Sequence, residues 1–511
     1  IIGDGETAKG SITEAAKLAG VLQMNNMVNF LDYNKVDQDG YVKDVMPCQF
    51  VQEWQSYGWA TIQVDGNDIE KLHIAIQEAH KIQEDQSLPV MIIMDTVKGA
   101  GVSFMAEAAR GGSGAWHGVA PKGEYLINAI RECDETITDL EADILGDIDA
   151  YIQSIQLTLE EKEKFSVAVE QKIDSKPSII TFTEPKATRD GFGKYLLELG
   201  KADSRIVAVT AGVAGSVRMD WFEKKFGKFN SVNRAGRFIN VGIAEANMAG
   251  VAAGLALAGK KPWFATFDIF ITECLSVIRN SICYNNVDVK IIGTHAGLGV
   301  EWDGGSHQSC IIPGFMNDLF RMQCYEPADS NETQEIMKKV YTDNKAAYLR
   351  LTRQNMPLLA SQIIKQGEGA RVVRISENPK AVLVGMGVGV HIAMDAAKVL
   401  LSQGIDVKVI NAFSLSNLDN DNFRSMIPNV PVVCFHDAHY KILAKEVAYV
   451  LGRKVVGIGM KDFGESGDAA SLYKKHGMDV ESIVSRVKGL IWPLHKQRQM
   501  LQCIGHHHHI L

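Results

Sequence analysis

Short apolar runs alternate with longer helix-patterned stretches along almost the whole chain, and this alternation constrains the fold most. Pro89–Asp95 (PVMIIMD) is apolar throughout rather than at every second residue. A strand of that kind is buried on both faces, as in a parallel sheet covered by helices. Parallel strands need crossover connections, which the intervening helices supply. The expected class is therefore α/β, with doubly wound, mostly parallel sheets. A chain of 511 residues suggests about three domains at roughly 100–200 residues each.

A helix over 12–22 and a strand over 27–31 open the first pattern. Acidic and basic residues mixed with Ile over 134–172 predict surface helices, and Pro177 and Pro185 mark a linker over 175–187. A second α/β pattern begins at Thr188, with strands expected at 206–209, 263–266, 289–294 and 347–351. After a linker over 354–368, the third has strands at 381–384, 407–410, 432–435 and 455–458. The expected domains are 1–175, 186–356 and 372–495. The tail 496–511 carries His506–His509, which reads as an added tag.

The chain has 53 Lys+Arg and 61 Asp+Glu, a net charge of −8, with 46% hydrophobic residues. That excludes a disordered chain and a basic nucleic-acid binder. No apolar run reaches the roughly 18 residues a membrane helix needs, and the stretch Val241–Gly259 is interrupted by Glu245. Eight cysteines without a CxxC pair argue against a disulfide scaffold or zinc site and for a reducing, cytoplasmic setting. The start, Ile1-Ile2-Gly3-Asp4-Gly5, has no basic signal-peptide region and reads as a strand end entering a glycine turn, so the chain is expected to begin inside a domain.

The first chemical constellation is Gly3-Asp4-Gly5 with Asn34 thirty positions after Asp4, separated by turn, helix and strand. Two glycines let backbone approach a diphosphate. An Asp carboxylate, an Asn amide oxygen and a backbone carbonyl at Val36 suit a hard cation such as Mg²⁺, with Ca²⁺ or Mn²⁺ as alternatives. An isolated Asp-Gly turn is more often only a turn; the spacing to Asn34 strengthens the functional reading.

Glu245, in Gly242-Ile243-Ala244-Glu245-Ala246-Asn247-Met248, is either a carboxylate at a helix N-terminus or one that bonds a heterocycle. Phe267 and Phe270 are core aromatics by default but could pack on a pyrimidine ring. His295, Asp303 and His307 share a Gly-rich loop, which favours contact with sugar hydroxyls and proton transfer. Arg353 in LTRQN is an ion-pair residue by default, yet with Arg189 and Ser216 it could form a phosphate fork. Asp462-Phe463-Gly464-Glu465-Ser466 is a weaker fifth piece. The turn at Gly385, Gly387 and Gly389 is a weak dinucleotide signal, and His436 with His439 lacks the second ligand pair of a metal site.

In this order, GDG with Asn34, GIAEANM, THAG with DGGSHQ, LTRQN and FGES resemble transketolase over nearly the whole chain. The resemblance implies a homodimeric transferase of the pentose phosphate pathway. It would move a two-carbon ketol unit between sugar phosphates with thiamine diphosphate and Mg²⁺, the cofactor lying between one chain's first domain and the partner's second. It implies Asp4, Asn34 and the Val36 carbonyl at the metal and diphosphate, with Gly3 and Gly5 beside them. It puts Glu245 on the cofactor pyrimidine, Phe267 and Phe270 flanking that ring, and His117 touching cofactor and substrate. Asp303, His307 and His295 would contact substrate, and Arg189, Ser216 and Arg353 would anchor its phosphate.

Three departures accompany the resemblance. A stretch of roughly a domain's length normally precedes GDG in the family. Lys9 stands where many members have a Glu, although Glu14 keeps the next acidic position. Gly212 fills a position often held by Asp. The alternatives are an impaired paralogue acting as a binding or assembly subunit, and deoxyxylulose-phosphate synthase or a 2-oxoacid dehydrogenase E1. Those two enzymes are not expected to carry the DGGSHQ and LTRQN pair.

Overall fold

The computed structural model describes residues 1–37, 40–117, 119–137, 177–360, 363–365 and 367–491. The histidine-bearing tail 496–511 and most of the 134–172 stretch lie outside the described residues; the helix Glu124–Ile137 covers the beginning of that stretch. The chain divides into two compact units, Ile1–Asp174 with Asn230–Arg234, and Ser175–Phe229 with Ala235–Leu511.

The first unit is built on four parallel strands in the order Ile2–Gly3, Val28–Tyr33, Val90–Asp95, Ala60–Asp65. Val90, Met91 and Ile92 are fully buried, as their continuous apolar run requires. The helix Gly10–Val21 presents Ala16 and Ala19 to the sheet. It is fastened by the Trp59 indole N–H, which donates to the Ala16 carbonyl at 2.8 Å. Gly20 sits so close to the Tyr57 carbonyl that a Cβ would collide with it. Asp68 caps the helix Ile69–Gln86 by accepting from the Lys71 N–H.

The second unit holds two large sheets and a small antiparallel pair, Lys186–Ala187 with Asn355–Met356. Six parallel strands run in the order Gln323–Tyr325, Ala347–Arg350, Lys290–Thr294, Lys261–Phe267, Ile206–Thr210, Phe238–Asn240. Five strands form the other, in the order Ala370–Arg374, Val407–Ala412, Ala381–Met386, Val432–His439, Val456–Met460; Ala370–Arg374 is antiparallel. One buried cluster runs through both, joining Phe264 and Ile291 to Val384, Ile410 and Cys434. The stretch read as a linker is pinned: Ile180 and Phe182 donate their N–H groups to the side chains of Gln334 and Asn331 at 2.9 Å each. In the turn at Gly385, Gly387 and Gly389, the last glycine lets the helix Val388–Ser402 lie against the Phe435 carbonyl. No helix among the described residues is long and apolar enough to cross a membrane, and their seven cysteines are free thiols.

Candidate functional site

Two sets of residues stand at carboxyl ends of parallel strands, where open α/β sheets bind ligands. They lie in different units and are described separately.

In the first unit Gly3 pairs with Asp32 across adjacent strands, so Asp4 and Asn34 leave the sheet side by side. Asp4 is buried. Its Oδ1 accepts the Gly5 N–H at 2.8 Å and its Oδ2 the Lys35 N–H at 2.6 Å. Burial pushes its carboxyl up, the Asp32 charge adds to this, and the two N–H groups and Lys98 oppose it. Asn34 Oδ1 accepts the Val36 N–H at 3.2 Å. Its Nδ2 donates to Asp32 Oδ2 at 3.1 Å, and the Thr96 hydroxyl donates to the other Asp32 oxygen. Asp32 and Thr96 therefore orient Asn34, a role with no mark in the sequence. Lys35 kinks the chain at φ 70° between Asn34 and Val36. Its ammonium meets Asp95 at 2.6 Å. The Asp4 carboxylate, the Asn34 amide oxygen and the Val36 carbonyl form an all-oxygen donor set of the kind a hard cation takes. A Cβ at Gly3 would meet only open space, so these residues fit a metal-bound diphosphate. His117 lies on an exposed turn after the helix Ser103–Arg110, its N–H donating to the Gly114 carbonyl at 2.8 Å.

In the second unit the pairing of Phe267 with Thr294 and of Gly293 with Arg350 sets three strand ends level. Phe267 closes its strand, His295 follows Thr294, and Arg353 lies three residues past Arg350. His295 stacks on Phe267 at 3.8 Å between centroids, inclined 21°. Phe267 and Phe270 are parallel within 4° at 5.4 Å. That is contact distance for two aromatic rings, so they stack on each other and leave no gap for a third ring between them. His307 stands edge-on to Phe270 at 5.5 Å. Its Nδ1 is paired with the Ser306 hydroxyl at 2.9 Å.

Arg189, in the first turn of the helix Thr188–Ala202, donates from Nη1 to the Ser216 carbonyl at 2.8 Å and to His295 Nε2 at 3.0 Å. Ser216 thus enters through its backbone. The Arg189 Nε is buried without a hydrogen-bond partner among the described residues. Burial, then Arg218 and Arg353, lowers the Arg189 guanidinium to about 10. Burial, then the Arg189, Arg353 and Arg218 charges, pushes His295 down to about 3. Arg353 Nη1 meets Asp303 Oδ2 at 3.1 Å. Gly212 adopts φ 82° and donates its N–H to Asn240 Oδ1 at 3.0 Å, a conformation that suits glycine over Asp. Glu245 is half-buried as the first residue of the helix Glu245–Leu257, and burial, with a smaller contribution from the Glu245 charge, raises the Cys274 thiol.

Beneath this group lies a buried ionic cluster that the sequence did not reveal. The Arg350 guanidinium donates from Nε to Asp268 at 3.2 Å and from Nη1 to Glu326 at 2.7 Å. From Nη2 it donates to the carbonyls of Ser309 and Asp437, at 2.7 Å each. Ser309 Oγ and the Tyr348 hydroxyl donate to Asp268. His436 Nε2 pairs with Glu326 at 2.7 Å. Gln308 Nε2 donates to the Glu465 carbonyl at 2.9 Å, which seats the FGES stretch on the His307 loop.

Comparison with known proteins agrees with this architecture. Residues 1–155, 184–357 and 370–483 match, in turn, the transketolase thiamine diphosphate binding domain, pyrimidine binding domain and C-terminal domain. The chain is 26% identical to Mus musculus transketolase over 509 residues, covering 96% of this chain and 75% of that protein. It is 31% identical over 315 residues to a putative transketolase C-terminal section from Methanocaldococcus jannaschii, covering 59% of this chain and 95% of that protein. Transketolase from Leishmania mexicana shares its fold, with a TM-score of 0.78 at 24% identity over 96% of this chain and 75% of that one. A split-gene transketolase described as an inactive β4 tetramer aligns with a TM-score of 0.52 at 32% identity, over 60% of this chain and 98% of that one. The mostly parallel sheets and matched domains define the thiamine-diphosphate-binding class of α/β proteins. Within that class, the chain belongs to the transketolase family.

Proposed function

We propose that this chain transfers a two-carbon ketol unit from a ketose phosphate to an aldose phosphate. One observation carries this reading: Arg189, His295, His307, Asp303 and Arg353 converge at the strand ends beside Phe267 and Phe270. Guanidiniums suit a phosphate, and His and Asp suit sugar hydroxyls. Thiamine diphosphate, when bound, supplies the electron sink that ketol transfer needs. Asp4, Asn34 and the Val36 carbonyl would hold its Mg²⁺, with Gly3 and Gly5 admitting the diphosphate. Glu245 would accept a hydrogen bond from the aminopyrimidine. Because Phe267 and Phe270 stack on each other, the ring would lie against an outer face of that pair.

His295, held neutral, accepts from Arg189 on Nε2 and meets the Thr294 hydroxyl through Nδ1, so its part would be to orient Arg189 toward the substrate. His307 is placed to move a proton at a sugar hydroxyl, and Asp303 to accept from one. The domain limits 1–175, 186–356 and 372–495, a homodimeric assembly, a part for His117 and a cytoplasmic location belong to the same proposal. The deciding experiment supplies thiamine diphosphate and Mg²⁺ and compares xylulose 5-phosphate with pyruvate as donor. Ketol transfer from the sugar phosphate alone is the expected result. Turnover of pyruvate would favour a synthase or E1-type activity, and no turnover with saturable cofactor binding would favour an impaired paralogue.

A further inference from the structure

Glu301 lies in the loop between His295 and His307 at φ 62°, ψ −117°. A residue with a side chain rarely adopts that conformation, and such outliers gather at functional sites. The backbone there directs the Glu301 carboxylate to Arg353, with Nη2 to Oε2 at 3.8 Å, while Asp303 takes Nη1 at 3.1 Å. One guanidinium of the phosphate fork therefore faces two carboxylates. Across the subsite, Arg189, Arg218 and Arg353 carry three positive charges. Asp190, paired with Arg218 at 2.6 Å, Asp303 and Glu301 carry three negative ones. These charges balance, so the two carboxylates on Arg353 offset part of its attraction for a phosphate of charge about −1.5 to −2.

We propose that Glu301 is a specificity-determining residue: its carboxylate competes for Arg353 and weakens the subsite's hold on a phosphate ester while leaving a neutral terminal hydroxyl unaffected. The inference rests on the reading that Arg189 and Arg353 face the substrate's terminal group. Removing one carboxylate at about 6 Å from a phosphate, in water-like dielectric, corresponds to roughly fivefold to tenfold in affinity.

The test measures binding of ribose 5-phosphate and of ribose by calorimetry to the full chain with thiamine diphosphate and Mg²⁺. It compares the wild type with Glu301→Gln, Glu301→Gly and Arg353→Ala. Both Glu301 variants are expected to bind the phosphate ester about fivefold more tightly, with ribose unchanged, and the gain should shrink as salt rises. Glycine relieves the backbone strain and glutamine does not, so a gain in Glu301→Gly alone would reveal a conformational effect and overturn the proposal. Unchanged phosphate binding in both Glu301 variants, with weakened binding in Arg353→Ala, would overturn it while leaving the phosphate fork standing. Unchanged binding in Arg353→Ala would remove the fork itself, and the proposal with it.

Discussion

Asp437, on the strand Val432–His439, accepts the Leu298 N–H on Oδ1 at 3.2 Å and the Tyr473 hydroxyl on Oδ2 at 2.6 Å. Leu298 belongs to the loop that carries His295 and His307. Its neighbour Gly297, at φ 66°, lies so close to the Asp437 carboxylate that a Cβ would collide with it. The five-stranded sheet thus holds the substrate-side loop through a buried carboxylate. Asp437→Ala should cost about 2–3 kcal/mol, the range for losing hydrogen bonds to a charged group, and Tyr473→Phe about 1 kcal/mol. Denaturant unfolding checks both. Hydrogen exchange at the Leu298 amide should accelerate in Asp437→Ala before the rest of the chain is affected.

Arg350 uses Nε, Nη1 and Nη2 on four separate acceptors while only 1% of its side chain is exposed. A lysine has one nitrogen and cannot reproduce that fork. Arg350→Lys is therefore expected to behave almost as badly as Arg350→Met. Met would leave the Asp268 and Glu326 carboxylates buried without their cation, and Lys, though charged, would leave some of the four acceptors unpaired, a loss of about 3–5 kcal/mol in either case. Equal Tm values for wild type and Arg350→Lys would contradict this account.

What the sequence displayed depended on how local each feature was. Val90–Asp95 and Ala381–Met386 are legible because both faces are buried and the run is apolar throughout. Ala60–Asp65 is hidden by the polar residues of ATIQVD. Ala370–Arg374 is hidden by Arg371, a charge inside a strand that is tolerated because Glu332 meets it at 2.5 Å. Asp4 and Asn34 stand out because a turn and a strand end fix their spacing. Asp437 does not: its partner Leu298 lies 139 positions away, and only the packing of two sheets brings them together. Asp268 is masked by its position between Phe267 and Phe270, where the aromatics draw the eye and the buried carboxylate does the anchoring.

Loss of the metal donors should be separable from loss of the fold. Asp4→Ala leaves the Gly5 and Lys35 N–H groups without their acceptor, and should abolish Mg²⁺-dependent thiamine diphosphate binding. Asn34→Ala should weaken it by about tenfold to a hundredfold, and Asp32→Ala, which acts through Asn34, by a similar factor. Calorimetry with and without Mg²⁺ reads all three. Cofactor binding that survives Asp4→Ala would show that the diphosphate is held elsewhere.

Glu245→Gln should split binding from turnover. The amide keeps the length and half-buried seat of the side chain at the helix start but loses the charge. Cofactor affinity should stay within about tenfold while kcat falls by about a hundredfold to ten-thousandfold, the range for removing a general acid–base group. A matched fall in affinity and kcat would make Glu245 a binding residue only.

His295 gives a pH-dependent signature that needs no substrate. It is 3% exposed. Burial, then Arg189, Arg353, Arg218 and His307, holds it down to about 3, against 6.5 for the free side chain. Thr294 faces its Nδ1 at 2.8 Å and Arg189 its Nε2 at 3.0 Å, so neither nitrogen has a carboxylate to support a second proton. Between pH 6.5 and about 3 the unfolded chain binds a proton that the folded chain refuses. Stability is therefore complete above pH 6.5 and falls as the pH drops through that window, by up to about 1.4 kcal/mol per pH unit. His295→Gln removes the titrating group, so its unfolding free energy should fall less steeply from pH 6.5 to 4.5 than the wild type's. Denaturant titrations at half-unit intervals measure the two slopes. Parallel slopes would mean that His295 carries its proton in the folded protein, and the neutral imidazole that accepts from Arg189 would have to be abandoned.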